Sequence, residues 1–366
     1  MTDASKTNVY TLRVLLTSFL GFAALEGLLF HSGWYASILN PDSSTGSFER
    51  VLWAERQRKL DGPNQVIGIG DSRMALTARV ANELHPETGY TFASAGLGGA
   101  SPRVWYYLLR DMDPEANRYA AVVITLTDYD DAELWEHHAD RYYDLRFLIA
   151  RLRLSDAWEL PRSFDTLAYQ WEALRTIVFR GSAYNTDFQD LLGRPGDRFR
   201  SVEMNRRDGA TWMYEFVTAD GTMEGVSIDW NTRTVKAPPD RTPAQIAAYE
   251  RMLSQPLPPD QGEHSKYLRR WLGKIREHYR QSRTRLIFVR LPRGPLVRPD
   301  LPPTNPRSSV RQFAEQPGVT LVDEHLFDFL EEPRMFLDEL HLNRTGLDQF
   351  SRRMAREARR ILGPPR

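Results

Sequence analysis

Gly70-Asp71-Ser72-Arg73 closes an apolar run, Val66-Ile67-Gly68-Ile69, and Asp338-Glu339-Leu340-His341-Leu342-Asn343 stands near the other end of the chain. A serine hydroxyl is a poor nucleophile at its free pKa. It needs an imidazole to take its proton and a carboxylate to hold that imidazole in the right tautomer. Ser72, His341 and Asp338 are groups of those three kinds, and Asp338 and His341 are close enough in sequence for one short loop to present both. Two plainer roles stand beside this one. Ser72 is suited to capping a helix after a strand, and His341 to capping before the helix that follows Gly346.

The elements that must position these groups follow from the apolar pattern. Residues 66–69 read as a buried parallel strand, and the glycine after them lets the chain turn so that Ser72 emerges at the strand's carboxyl end. Ligands of open α/β sheets gather at that edge. Further strands are expected at 90–94, 120–126, 285–291 and 319–322, and helices at 103–111, 265–281 and 347–362. This alternation predicts an α/β fold with a parallel sheet covered by helices on both faces, a flavodoxin-like three-layer α/β/α sandwich. The expected organisation is a short N-terminus (1–13), a transmembrane helix (14–39), a linker and helix (40–60) and a domain over 61–366 with an insertion at about 132–262. Within the insertion, 211–234 alternates around Asp220-Gly221 and Asn231-Thr232 and reads as a β-hairpin. Residues 134–179 carry aromatics at helical spacing, including Trp135, Tyr142, Tyr143, Phe147, Trp158, Tyr169 and Trp171. Core packing and a platform for sugar rings are both open to them.

The Gly-Asp-Ser and Asp-x-x-His segments resemble the first and last blocks of the SGNH, or GDSL-type, hydrolase superfamily, over roughly 65–362. The resemblance implies Ser72 as nucleophile, His341 as base and Asp338 as its partner. Phe92-Ala93-Ser94-Ala95-Gly96-Leu97-Gly98-Gly99-Ala100-Ser101-Pro102 resembles the second block. Its register places the Gly98 amide, with that of Ser72, in the oxyanion hole; an ordinary strand-to-helix glycine turn is the simpler account. The third block of the family carries Gly-x-Asn-Asp, whereas this chain has Thr125-Leu126-Thr127-Asp128-Tyr129-Asp130-Asp131. An ionised carboxylate cannot donate a hydrogen bond, so Asp128 or Asp130 would have to be protonated, or Thr127 or Tyr129 would have to donate. Either the site is a divergent, transferase-type one or it is weakened or inactive. Membrane-anchored branches of the family associated with polysaccharide and cell-wall acyl modification often lack the full third block.

Composition bounds the partners. The 366 residues hold 48 Lys plus Arg and 48 Asp plus Glu, so no global field favours nucleic acid. Absence of cysteine excludes thiol nucleophiles and thiolate metal sites and suits an extracytoplasmic compartment. Arg73, Arg290 and Arg293, with Asp128 and Tyr129, are candidate substrate-binding residues, and the guanidinium groups suit an anionic substrate such as a uronate or phosphate; surface ion pairing explains them equally. His137-His138 and the cluster Asp128, Asp130 and Asp131 are too close along one segment to converge on a metal, and no metal or cofactor is expected.

Residues 14–39 contain no Lys or Arg, and as a helix would reach roughly 39 Å against a hydrocarbon core of about 30 Å. Lys6 and Arg13 precede them and the next basic residue other than histidine is Arg50. The positive-inside rule therefore puts the N-terminus in the cytoplasm and the large domain outside. A cleaved signal peptide or a buried core helix are the other readings. Glu26 within this segment is either protonated in lipid or docked against a multispanning membrane protein. The expected function is a membrane-anchored, serine-dependent O-acyl esterase or acyltransferase acting on a cell-surface polysaccharide or similar acylated polymer. The alternatives are a weak or inactive carbohydrate-binding scaffold of the same fold and a membrane-proximal lipase.

Overall fold

The structure is a computed structural model that describes residues 3–60, 62–74, 78–130, 142–215, 221–243, 246–247, 249–250, 262–297 and 304–365. Asp131, Trp135, His137, His138 and Asp220 lie outside the described residues. The chain divides into two compact units, one of Met1–Arg50 with Leu145–Arg207, the other of Val51–Asp144 with Asp208–Arg366.

The second unit is mixed α/β. Strands β1 (Gln65–Gly70), β2 (Thr91–Gly96) and β3 (Ala121–Leu126) precede a small hairpin, β4 (Ser227–Asp229) and β5 (Thr234–Lys236), and are followed by β6 (Arg285–Arg290) and β7 (Val319–Leu321). Five of these form a parallel sheet in the order β2-β1-β3-β6-β7. All five core strands fall where the apolar runs predict them, within two residues at each end. Val66, Phe92, Val123, Ile287 and Val289 share one core with Phe350 and Met354 of the C-terminal helix Arg344–Leu362. The alternate residues Ile67, Ile69, Val122, Ile124, Leu286 and Phe288 point to the opposite face and are also buried, so both faces are covered. The helices Pro102–Met112 and Gly262–Tyr279 pack against each other.

The order of strands sets the site's place. The chain steps from β1 outward to β2, then returns to the other side of β1 for β3, so the connections leaving β1 and β3 diverge between those two strands. A crevice opens at such a point, at the carboxyl ends of the strands. Ser72 follows β1 and Thr127 follows β3 at the same level.

The Gly68-Ile69-Gly70 pattern is forced by the turn after β1. A Cβ at Gly68 would collide with the Met74 side chain, and one at Gly70 would collide with Thr125 Oγ1 and lie 2.8 Å from Met74 Cβ. Gly70→Ala is therefore expected to lower stability by about 1–3 kcal/mol through overpacking. Urea unfolding checks this as a lower midpoint with unchanged slope.

The hairpin turns at Trp230–Arg233, where Asp229 Oδ1 accepts from the amides of Asn231 (3.0 Å) and Thr232 (3.2 Å). Residues 211–215, expected to belong to it, form instead the last turn of the helix Pro195–Glu215.

In the first unit a helix over Asp3–Glu26 continues as a π-helical turn, Gly27–His31. The segment Tyr10–His31 is long and apolar enough to cross a membrane and is almost entirely exposed. Such exposure separates it from a core helix. The helix ends at His31, short of the expected end of the span at 39. Gly33, at a φ of +84°, breaks the helix, and Tyr35, Ile38 and Leu39 beyond it pack into a core with Ile149, Tyr184 and Leu191. Tyr35 also donates to Asp187 Oδ2 at 2.6 Å.

Glu26 is buried and accepts the Gly181 amide at 2.8 Å, with His31 Nε2 3.9 Å away. Its need for a polar partner is met within the chain. A docked membrane protein is thus not required to account for this carboxylate.

Candidate active site

Beyond β1 the chain makes a tight turn in which the Met74 amide donates to Asp71 O at 3.1 Å, lifting Ser72 clear of the sheet. The following loop is tied to it, since the Leu97 amide donates to Gly70 O at 3.1 Å. That bond extends the β1–β2 ladder by one step and leaves Gly98 beside the serine. A Cβ built on Gly98 would lie 3.9 Å from Ser72 Cβ, and Gly99 turns the chain away with a φ of +73°. Gly98 thus lies within van der Waals reach of Ser72.

The opposite wall is the segment before the C-terminal helix. Phe336 bridges Leu342, the Leu337 amide donates to His341 O at 2.8 Å, and the Asn343 amide donates to Met335 O at 2.9 Å. Asn343, rather than His341, caps the helix: its Oδ1 accepts from the Gly346 amide at 3.0 Å, and its Nδ2 donates to Arg334 O and Gly221 O. Asp338 closes the loop, Oδ1 accepting from the amides of Leu340 (2.8 Å) and His341 (2.7 Å). The imidazole is thus free of a capping duty and held at both nitrogens. Nδ1 lies 2.9 Å from Asp338 Oδ2 and 3.1 Å from Oδ1, and Nε2 lies 2.8 Å from Ser72 Oγ. With Asp338 ionised, Nδ1 donates to the carboxylate and Nε2 is left to accept the serine hydroxyl proton.

The electrostatics support that assignment. The hydrogen bond to Asp338 holds the His341 pKa above the ordinary imidazole value; burial opposes this, and the Asp338 and Asp71 charges reinforce it. Burial raises the Asp338 carboxyl, but the hydrogen bonds from the His341 ring and from the His341 and Leu340 amides outweigh it and hold the group below the usual carboxylate range.

Arg73 is committed to its neighbours. Its Nη2 lies 2.6 Å from Asp71 Oδ2 and its Nε 3.0 Å from both carboxylate oxygens, while Nη2 also donates to Thr127 Oγ1 at 3.0 Å. The guanidinium therefore ties the end of β1 to the end of β3 and, with Leu291, Pro292, Leu340 and Leu342, lines a recess beside His341. Asp71 was not anticipated as a partner. The alternation of carboxylate, hydroxyl and guanidinium in Asp71-Ser72-Arg73 is the signal for it, since residues two apart in a turn share a side.

Two of the other expected substrate contacts, Tyr129 and Arg290, are corrected by their burial. Tyr129 is buried, its hydroxyl 2.9 Å from Phe288 O and 3.0 Å from Val322 O while accepting the Arg290 amide at 2.9 Å. Burial pushes its pKa far up. It staples β3 to β6 and β7 and cannot face an oxyanion. Arg290 is buried between Glu331 Oε1 (2.9 Å), Asp328 and the Glu324 carbonyl, and Arg293 lies 2.6 Å from Glu331 Oε2. Both guanidinium groups are held in this ion-pair network. Asp128 Oδ1 accepts the Asp130 amide at 2.7 Å, and Asp130 pairs with Arg311 Nη2 at 3.0 Å. Thr127 is linked to the Ser72 turn through Arg73.

Tyr129→Phe is expected to cost about 1–3 kcal/mol by leaving buried backbone groups unsatisfied. Chemical denaturation measures the loss, and reactivity at Ser72 stays at the level of the unmodified protein.

No protein-family model, curated protein or solved structure matches the chain.

Proposed function

We propose that the protein is a serine-dependent O-acyl esterase or acyltransferase of SGNH type, built on a flavodoxin-like three-layer sandwich with an insertion. The observation that carries this reading is the continuous relay Ser72 Oγ, His341 Nε2, His341 Nδ1, Asp338, with contacts of 2.8 and 2.9 Å. The relay sits at the carboxyl edge of the sheet beside two backbone amides.

Ser72 Oγ attacks the ester carbonyl carbon as its proton passes to His341 Nε2. Negative charge on the carbonyl oxygen is met by the Ser72 and Gly98 amides. Collapse breaks the ester C–O bond, and the departing alcohol takes the proton from Nε2, leaving an acyl-serine. Water or a sugar hydroxyl then gives its proton to Nε2 and attacks the acyl carbon, and the acyl–Oγ bond breaks as Nε2 returns that proton to Ser72 Oγ. Asp338 stays ionised throughout and stabilises the imidazolium.

The span Tyr10–His31 anchors the chain in a cytoplasmic-type membrane, with Arg13 at the inner side and the sheet domain outside. The acceptor is a cell-surface polysaccharide or similar acylated polymer. Exposure to a short-chain aryl ester tests the chemistry: mass spectrometry is expected to find an acyl adduct on Ser72. Transfer of that adduct to added oligosaccharide identifies a transferase, and loss to water alone an esterase.

A second reading, a non-catalytic scaffold, is favoured by the missing third-block asparagine and by the internal commitments of Asp128 and Tyr129. It predicts no adduct.

A further inference from the structure

Four large apolar side chains of the first unit stand open: Leu154 is 70% exposed, Trp158 72%, Leu167 81% and Trp171 65%. Leu154 and Trp158 are four residues apart, as are Leu167 and Trp171 on the helix Leu167–Val178. The short turns Leu154–Ala157 and Pro161–Ser163 pack against that helix, so the two pairs belong to one structural element. An isolated exposed leucine needs no explanation, but a cluster with two tryptophans does.

Its neighbourhood includes the apolar N-terminal helix. The helix runs into Phe179, whose ring centroid is 6.1 Å from that of Phe22 within the apolar span, and the Gly181 amide is bonded to Glu26 of the same helix. Phe22 lies nine residues before His31, about 14 Å down a helix at 1.5 Å per residue. The element therefore adjoins the apolar span through Phe179 and Gly181.

We propose that this element is a membrane seat, with Trp158, Trp171 and their leucine neighbours immersed at the boundary between headgroups and acyl chains of an anionic bilayer. The inference rests on the reading of Tyr10–His31 as a transmembrane anchor. Tryptophan favours that boundary, where its ring is partly desolvated and its N–H stays wet. The Arg162 guanidinium lies 3.3 Å from the Trp158 ring centroid, and Arg175, one helical turn after Trp171, is 43% exposed and paired with Glu172 at 2.5 Å. Arginine stems can lie along apolar surface while their heads reach lipid phosphates. A second attachment beside the anchor restricts the first unit's rotation about a single helix, so the unit has a defined height above the bilayer.

The absence of native cysteine makes the test direct. Single nitroxide labels are placed on the full chain through Trp158→Cys, Trp171→Cys, Leu20→Cys within the span and Arg360→Cys on the exposed C-terminal helix. The chain is reconstituted in nanodiscs of phosphatidylcholine and phosphatidylglycerol, and power saturation compares collision with oxygen and with a water-soluble nickel chelate. The expected result is that labels at 158 and 171 collide with oxygen but are several-fold less accessible to nickel than the label at 360. Nickel access equal to that at 360, with the label at 20 still lipid-buried, overturns the seat and leaves the anchor intact. Shielding at 158 and 171 from both reagents also overturns it, because it means burial against protein. Nickel access at 20 overturns the anchor and the seat together.

Discussion

Ser72→Ala is expected to lower turnover of an activated ester by about 10⁶-fold, the scale seen when the nucleophile of a serine triad is removed. The variant is also expected to abolish covalent labelling by a fluorophosphonate. Both effects follow from one contact. Ser72 Oγ is the atom 2.8 Å from His341 Nε2, and without it the imidazole has no proton to accept and no alkoxide to generate. The backbone donors survive the change, so a residual acceleration of about 10³–10⁴ over water is expected. Folding should be unaffected, because the Ser72 hydroxyl ties to no core group and the turn is held by the Met74 amide. Equal labelling of the alanine variant and the unmodified protein would sink the proposed chemistry.

Asp338→Asn should lower turnover by about 10⁴-fold. The amide oxygen of asparagine can still accept from the Leu340 and His341 amides, so the loop keeps its shape. What changes is the face turned toward His341 Nδ1. An amide NH₂ there favours the tautomer with the proton on Nε2, which can no longer take the serine proton. The pH profile provides a second readout. The base works as neutral imidazole, so activity is lost as pH falls through the His341 pKa, which lies above the ordinary value of about 6.5. Removing the carboxylate removes the largest influence raising that pKa, so the acidic limb of kcat/KM should move to lower pH in the variant. An unchanged limb would show that Asp338 does not govern the imidazole.

The core strands and the triad were legible because both have local signatures. Runs such as Val66-Ile67-Gly68-Ile69 and Ala121-Val122-Val123-Ile124 are too apolar to face water, and Asp338 with His341 fits one loop whatever the surrounding fold. The roles of Tyr129, Arg290 and Arg293 were not legible. Each is a residue type common at binding sites, and each is engaged by partners more than 30 positions away: Phe288 and Val322 for Tyr129, Asp328 and Glu331 for the arginines. The end of the apolar span was misplaced for the same reason. Tyr35, Ile38 and Leu39 are as apolar as the residues before them, and only the distant Ile149, Tyr184 and Leu191 decide that they belong to a protein core.

By itself, then, the order of residues determined a parallel sheet, a glycine turn ending in Ser72, a loop pairing Asp338 with His341, and an N-terminal helix apolar enough for a membrane. These rest on apolar periodicity, steric freedom at glycine and short sequence separation. Only the tertiary structure decided that Ser72 and His341 meet across 269 positions, that Gly98 stands beside Ser72, and that Glu26 is satisfied by Gly181. Those contacts depend on which strands are neighbours and on competition among many buried charges, and neither is encoded in any short stretch of the chain.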